Sequence, residues 1–166
     1  MTRVGVTGHQ RLEEPEAWAW VASAMREQLS QVAPPLIAVS SLAIGADQLL
    51  AKLVLERGGQ IYVVLPFADI ERSFSPENLP AYRNLAKEAA VVEVLEKAGT
   101  DEDAYLAAGE RVVQLSDIVL AVWDGKAAKG KGGTADIVSY ALHRVPVIHI
   151  DPVTRTVRGI EPTTTC

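Results

Sequence analysis

The residues best suited to chemistry in this chain lie in one short segment, from Asp124 to Thr134. This segment holds four glycines and three lysines, in a chain whose formal net charge is −5. Glycine lets the backbone approach an anion closely, and the lysines make the segment positive within an acidic protein. The segment therefore predicts an anion-binding loop; the alternative is a flexible, solvated loop. Its candidate binding residues are Asp124, Gly125, Gly132, Gly133 and Thr134.

A second group of small and polar residues follows the first two predicted strands. Glycine and hydroxyl residues at strand ends permit close contact with a phosphate, so we expect this group to complete the same site. The histidine of the group is either a ligand contact or a local hydrogen-bonding group. Its serines are ligand contacts or helix caps, since no G-x-S-x-G motif surrounds them. The group consists of Gly8, His9, Ser40, Ser41, Gly45 and Asp47.

Three carboxylates are candidates for catalysis: Asp47, Asp124 and Asp136. Each could act as an acid or base on a sugar, or orient its hydroxyls. Asp47 and Asp136 also fall in the first turns of predicted helices, where a carboxylate is favourable through the helix dipole alone. No partner residue is identifiable from the sequence, which therefore does not single out one of the three as the catalytic residue.

Two well-known nucleotide motifs are absent. The run from Gly125 to Lys131 approaches a P-loop, but Gly132 stands where a magnesium-binding Ser or Thr is needed. The first turn, from Gly5 to Gly8, lacks the G-x-G-x-x-G of dehydrogenases. These departures disfavour an NTPase and a hydride-transfer enzyme.

A metal site is not indicated either. The three histidines are widely scattered, and the single cysteine, Cys166, has no partner for a metal-binding pair. The sequence thus predicts neither a resident metal nor a cofactor.

The elements that must position these residues alternate along the chain. Short β-branched runs predict strands, and longer amphipathic runs predict helices between them. The alternation predicts an α/β fold: a single doubly wound, mostly parallel, Rossmann-like sheet over residues 1–151, with helices on both faces. Residues 152–166 form a polar tail, either a short edge strand or loose. The predicted strands are 3–7, 36–40, 60–66, 91–95, 117–123 and 146–150, and the predicted helices are 15–31, 46–57, 80–90, 103–115 and 134–143.

The composition of the chain limits the classes of partner that we expect. An acidic composition with 5% aromatic residues disfavours nucleic-acid binding, because a polyanion needs a basic face and stacking surfaces. A lone cysteine, no signal-peptide pattern and no membrane-length apolar run lead us to expect a cytoplasmic protein without a membrane partner.

The motifs at four strand ends, in this order, resemble one superfamily. They are Thr7-Gly8-His9, the run from Ser40 to Asp47, the run from Val64 to Phe67, and Ala121 to Gly125 followed by Gly132 to Asp136. This combination resembles the SLOG superfamily, which joins the SMF/DprA DNA-processing proteins to the LOG, or lysine-decarboxylase-like, phosphoribohydrolases. The resemblance implies a Rossmann-like domain that binds a nucleotide or nucleotide-derived small molecule, with a homo-oligomer possible.

The resemblance is weaker at the catalytic position. LOG enzymes carry P-G-G-x-G-T-x-x-E, whose glutamate serves glycosidic cleavage, but here Ile137 stands at that place. Asp136 is one residue early, which turns it by about 100° on a helix. The first hypothesis is therefore a nucleotide-binding module. The alternatives are a nucleoside-monophosphate phosphoribohydrolase of LOG type and, less favoured, a single-stranded DNA-binding module.

Overall fold

The computed structural model describes residues 1–127 and 133–163. Strands and helices alternate along most of the chain, and a short 3-10 turn, Ile70–Ser73, follows the third strand. The strands are β1 Thr2–Gly8, β2 Leu36–Ser40, β3 Gln60–Leu65, β4 Val91–Val94, β5 Ile118–Val122, β6 Val147–Asp151 and β7 Thr156–Ile160. The helices are α1 Ala17–Ser30, α2 Ala46–Glu56, α3 Leu79–Lys87, α4 Asp101–Leu115 and α5 Thr134–Ala141.

The seven strands form one sheet in the order β4-β3-β2-β1-β5-β6-β7. All neighbouring pairs are parallel except β6 and β7, which are antiparallel. The chain first moves outward from β1 to β4 and then returns to the other side of β1 with β5. The order therefore reverses between β1 and β5, which is the switch point of a doubly wound sheet.

Alternate residues of β5 show that helices cover both faces of the sheet. Leu120 and Val122 pack in the cluster that holds residues of α1 and α2, whereas Val119 and Ala121 pack in the cluster that holds residues of α4 and α5. Successive side chains of a strand point to opposite faces, so the two helix pairs lie on opposite sides. This confirms the predicted mostly parallel, Rossmann-like α/β fold.

The boundaries differ from expectation in a few places. Helix α4 begins at Asp101, two residues early, because Thr100 and Asp103 form a reciprocal capping box. Helix α3 ends at Lys87, three residues before the predicted end. Strand β7 lies within the expected tail and pairs with β6 as an edge strand, the first of the two alternatives for that segment. No helix in the described ranges is both long enough and apolar enough to cross a membrane.

Candidate functional site

A cavity of about 940 Å³ opens at the carboxyl ends of the strands, where the loops after β1 and β5 separate. Helix N-termini point toward this edge in a parallel sheet, which makes it the usual ligand position. The structure brings together here seven of the candidate residues that the sequence singles out. They are Gly8, His9, Ser41, Asp47, Asp124, Gly133 and Thr134.

The histidine of the first turn ties the two switch-point loops to each other. The backbone N–H of His9 donates to the Val122 carbonyl at 3.0 Å. Its ring Nε2 accepts the backbone N–H of Asp124 at 3.1 Å and lies 3.5 Å from the Asp124 carboxylate. His9 thus forms a local hydrogen bond and also lines the cavity.

Strands β1 and β5 and helix α2 approach one another so closely at Gly8 that only a residue without a side chain fits there. A Cβ atom at this position would lie 2.7 Å from the Val122 carbonyl oxygen and 2.8 Å from the Ala46 Cβ. Real Cβ atoms do not approach other atoms so closely, so a side chain here would push β1, β5 and α2 apart. The glycine therefore shapes the floor of the cavity through its lack of a side chain.

Asp47 is a half-buried carboxyl group on the cavity wall. Its Oδ2 accepts the backbone N–H of Ala43 at 3.3 Å. Burial raises the pKa of Asp47 to about 7, although the backbone hydrogen bonds from Ala43 and Ser41 act to lower it. Near neutral pH this group is therefore present both as a neutral acid, which can donate a proton, and as a carboxylate.

Asp124 lies on the other side of the switch point, and its pKa is lowered, whereas that of Asp47 is raised. Partial burial acts to raise its pKa, but the backbone N–H of Lys126, the His9 ring and the Lys126 charge together hold the pKa below its ordinary value. The Lys126 N–H donates to Oδ1 at 2.9 Å. Asp124 is thus an ionised hydrogen-bond acceptor at neutral pH.

The start of α5 faces the cavity as well. Gly133, Thr134 and Ala135 all line it. The first N–H groups of a helix have no intrahelical partners, and the N–H groups of Thr134 and Ala135 make no hydrogen bond to any described residue. Gly132, with Lys129 and Lys131, lies outside the described residues. The helix start supplies donors where an anion could bind.

Four other candidates lie outside the lining of this cavity. Ser40 is fully buried, and its hydroxyl accepts the Leu42 N–H and donates to the Asp47 carbonyl, so it holds the β2–α2 loop instead of facing a ligand. Gly45 lines a separate, smaller cavity of about 260 Å³. Gly125 and Asp136 line neither cavity. Sequence order alone predicted that these residues lie at the ligand-binding edge of the sheet. It could not predict which of them line the cavity.

One wall of the cavity consists of residues that the sequence analysis missed. Phe74 and Asn78 come from the segment after β3, and Tyr105 comes from α4. The sequence motif after β3 ends at Phe67. The signal that could have found part of this wall is an aromatic residue and an asparagine, Phe74 and Asn78, in the segment that follows β3 at the ligand-binding edge.

The described ranges hold no cluster of three or more His, Cys, Asp or Glu residues that could bind a metal ion. The groups that line the cavity include backbone donors, carboxyl groups, hydroxyls, an imidazole and aromatic rings.

Comparison with known proteins bears on the fold. No protein-family model matches this chain, and no curated protein matches its sequence. Its structure is similar to that of DNA processing protein A from Helicobacter pylori, a protein that binds single-stranded DNA. The TM-score is 0.63, the sequence identity is 19%, and the match covers 89% of this chain. It is also similar to DprA from Streptococcus pneumoniae, with a TM-score of 0.60, 16% identity and 90% covered.

A third similar structure is the structural-genomics target TM1055, with a TM-score of 0.54 and 19% identity, over 89% of this chain and 72% of that one. The chain spans 64% of the H. pylori protein and 50% of the S. pneumoniae protein. At these identities the similarity concerns the fold. The fold is similar to that of the DprA proteins, one of the groups that the sequence motifs resemble.

Proposed function

We propose that this protein binds a nucleotide or nucleotide-derived ligand in the large cavity, with a phosphate at the start of α5. The observation that carries the proposal is that Thr134 and Ala135, the first two residues of α5, line the cavity at the switch point of the sheet. Backbone donors and the positive end of the helix dipole favour an anion at such a place. Lys126 lines the same cavity and adds a positive charge.

The carboxyl groups suit the sugar of such a ligand. Asp124 is ionised and accepts hydrogen bonds, so it can hold ribose hydroxyls beside the phosphate position. Asp47 lies on the β2 side of the cavity and can donate or accept near neutral pH. A ribose between the two groups would have a partner for each of its hydroxyls.

The test uses a negative charge placed at the helix start. We expect wild-type protein to show a thermal shift with nucleoside 5′-monophosphates, cyclic nucleotides or ADP-ribose, because a ligand that binds only the folded state stabilises it. Ala135→Asp is expected to weaken binding at least tenfold, because its carboxylate repels the phosphate. The fold should persist, since an acidic residue in a first turn stabilises a helix.

Ser139→Asp is the matched control. Ser139 is an exposed residue of the same helix outside the cavity, so this variant adds the same charge without touching the site. Equal affinities for Ala135→Asp, Ser139→Asp and the wild type would contradict a phosphate at the start of α5.

The enzyme alternative, a nucleotide N-glycosidase, is favoured by one specific observation. Asp47 lies on the cavity wall with a pKa of about 7, which suits a general acid that protonates a departing base. Chromatography of free base after incubation with AMP, CMP, GMP and UMP decides between catalysis and binding alone. Release that Asp47→Asn abolishes would identify an enzyme, whereas binding without release would identify a binding module.

Single-stranded DNA binding remains the least favoured function. Among the described residues that line the cavity, the carboxyl groups of Glu13, Glu14, Asp47 and Asp124 outnumber the cations Arg11 and Lys126. A DNA strand needs a groove with excess positive charge along its path. The lining favours a small ligand with one anionic end.

A further inference from the structure

The segment after β3 fixes an aromatic ring against the cavity. The ring of Phe74 stacks on that of Tyr82, with ring centroids 4.7 Å apart and ring planes at 25°. Tyr82 is buried, whereas Phe74 is half-buried and lines the cavity. The Phe74 ring is therefore supported from behind and presents its remaining surface to the cavity. Such a ring can stack with a flat apolar group.

Asn78 is a hydrogen-bonding residue without a structural partner. It occupies the N-cap position of α3, where asparagine is among the residues that cap best. Its side chain nevertheless makes no capping bond, and its amide has no hydrogen-bond partner among the described residues. The side chain lines the cavity. Both its amide donor and its carbonyl acceptor are thus available to a ligand.

The wall that carries these residues is braced by contacts outside the cavity. The guanidinium of Arg72 donates to both carboxylate oxygens of Asp101, each at 2.9 Å, and joins the 3-10 turn to the start of α4. The Phe67 ring packs under the same guanidinium, 4.5 Å away, and against Tyr105 at 5.8 Å. These contacts hold the loop and α4 in one arrangement, so the wall is preorganised for a ligand.

The wall and the start of α5 follow strands on opposite sides of the switch point. Strands β3 and β5 are separated by β2 and β1, which places their ends about 14 Å apart at the usual strand spacing. A phosphate at the start of α5, which follows β5, would leave a base near the segment that follows β3. The two ends of the cavity also differ in chemistry, since backbone donors lie at the first and aromatic rings at the second.

We infer that the end of the cavity after β3 is a base-binding subsite, in which Phe74 stacks with the base and Asn78 hydrogen-bonds to its edge. The inference rests on the proposed nucleotide-binding function and adds a specificity-determining residue to it. An amide pairs with a base edge that presents a donor next to an acceptor. The ligand class is accordingly a nucleotide that keeps its base, and not a sugar phosphate alone.

The experiment compares nucleoside 5′-monophosphates with ribose 5-phosphate, which has the sugar and the phosphate but no base. We expect Phe74→Leu and Asn78→Ser each to weaken binding of the preferred nucleotide about tenfold, as loss of one stacking ring or one paired hydrogen bond does. Neither variant should change the affinity for ribose 5-phosphate. Leucine keeps an apolar side chain against Tyr82, and serine can cap α3, so both variants should fold.

Asn84→Ser is the matched control, since Asn84 is exposed on the same helix and outside the cavity. Wild-type protein that binds ribose 5-phosphate as tightly as every nucleotide would overturn the subsite and leave the proposed function standing. Equal loss of both ligands in the two variants would also overturn it. Protein that binds neither ligand would overturn the proposed function and the subsite together.

Discussion

Gly45→Ala is expected to destabilise the protein by about 3 kcal/mol or more, from strain and overlap combined. Gly45 has φ 87° and ψ −128°, a backbone conformation open to glycine and strained for other residues. A Cβ atom would also lie 2.5 Å from the His9 carbonyl oxygen and 2.6 Å from that of Gln10. These are backbone atoms and cannot rotate away, so the loops after β1 and β2 would have to separate.

Gly58→Ala separates the two contributions. Gly58 also has a positive φ, 77°, but a Cβ there would meet nothing within 4 Å. Its substitution should therefore cost only the left-handed strain, about 1 kcal/mol. Urea unfolding of both variants measures the difference. Equal losses would show that the loops after β1 and β2 do not need their close contact.

Asp47→Asn is expected to stabilise the protein in a pH-dependent way. The ordinary pKa of an aspartate is 3.8, and burial raises that of Asp47 to about 7. Between these values the folded protein holds a proton that the unfolded chain has lost, so this group makes stability fall as pH rises from about 4 to about 7. Above pH 7 the group is ionised in the folded and the unfolded protein, and stability is lowered by the full free-energy cost of burying a carboxylate.

Asparagine carries no such cost at any pH. The stability gained by Asp47→Asn should therefore be about 3 kcal/mol larger at pH 8 than at pH 4.5, from about 1.4 kcal/mol per pKa unit. The hydrogen bond from Ala43 can be accepted by the asparagine oxygen, and any constant change in its strength cancels in this comparison. Chemical unfolding at the two pH values gives the result.

Asp124→Asn provides a control of opposite sign. Although partial burial acts against it, the Lys126 N–H and the nearby charges lower the pKa of Asp124, so its ionised form stabilises the fold above the ordinary pKa and this contribution is lost toward acid. Its substitution should destabilise the protein at pH 8 and do so less at low pH. A pH-independent effect of Asp47→Asn would contradict a raised pKa and remove the main support for a general acid at this position.

The site depends on side chains whose partners are distant in sequence. His9 accepts a hydrogen bond from Asp124, which lies 115 residues further along the chain. Ser40 looks the same in sequence as Ser41, yet Ser40 is fully buried and bonded within its loop, whereas Ser41 lines the cavity. Phe74 and Asn78 form the proposed base subsite, and Tyr105 lies on the same wall, although none of the three follows a strand directly.

By itself the sequence determined the alternation of strands and helices, the mostly parallel sheet and the edge at which small and polar residues gather. These follow from local periodicity, from glycine and proline at the junctions, and from the common direction of parallel strands. Only the tertiary structure decided which polar residues face the cavity, that Gly45 allows the loops after β1 and β2 to lie in contact, and that burial shifts the pKa of Asp47. Side-chain direction and burial depend on neighbours from other strands and helices, and no local pattern records them.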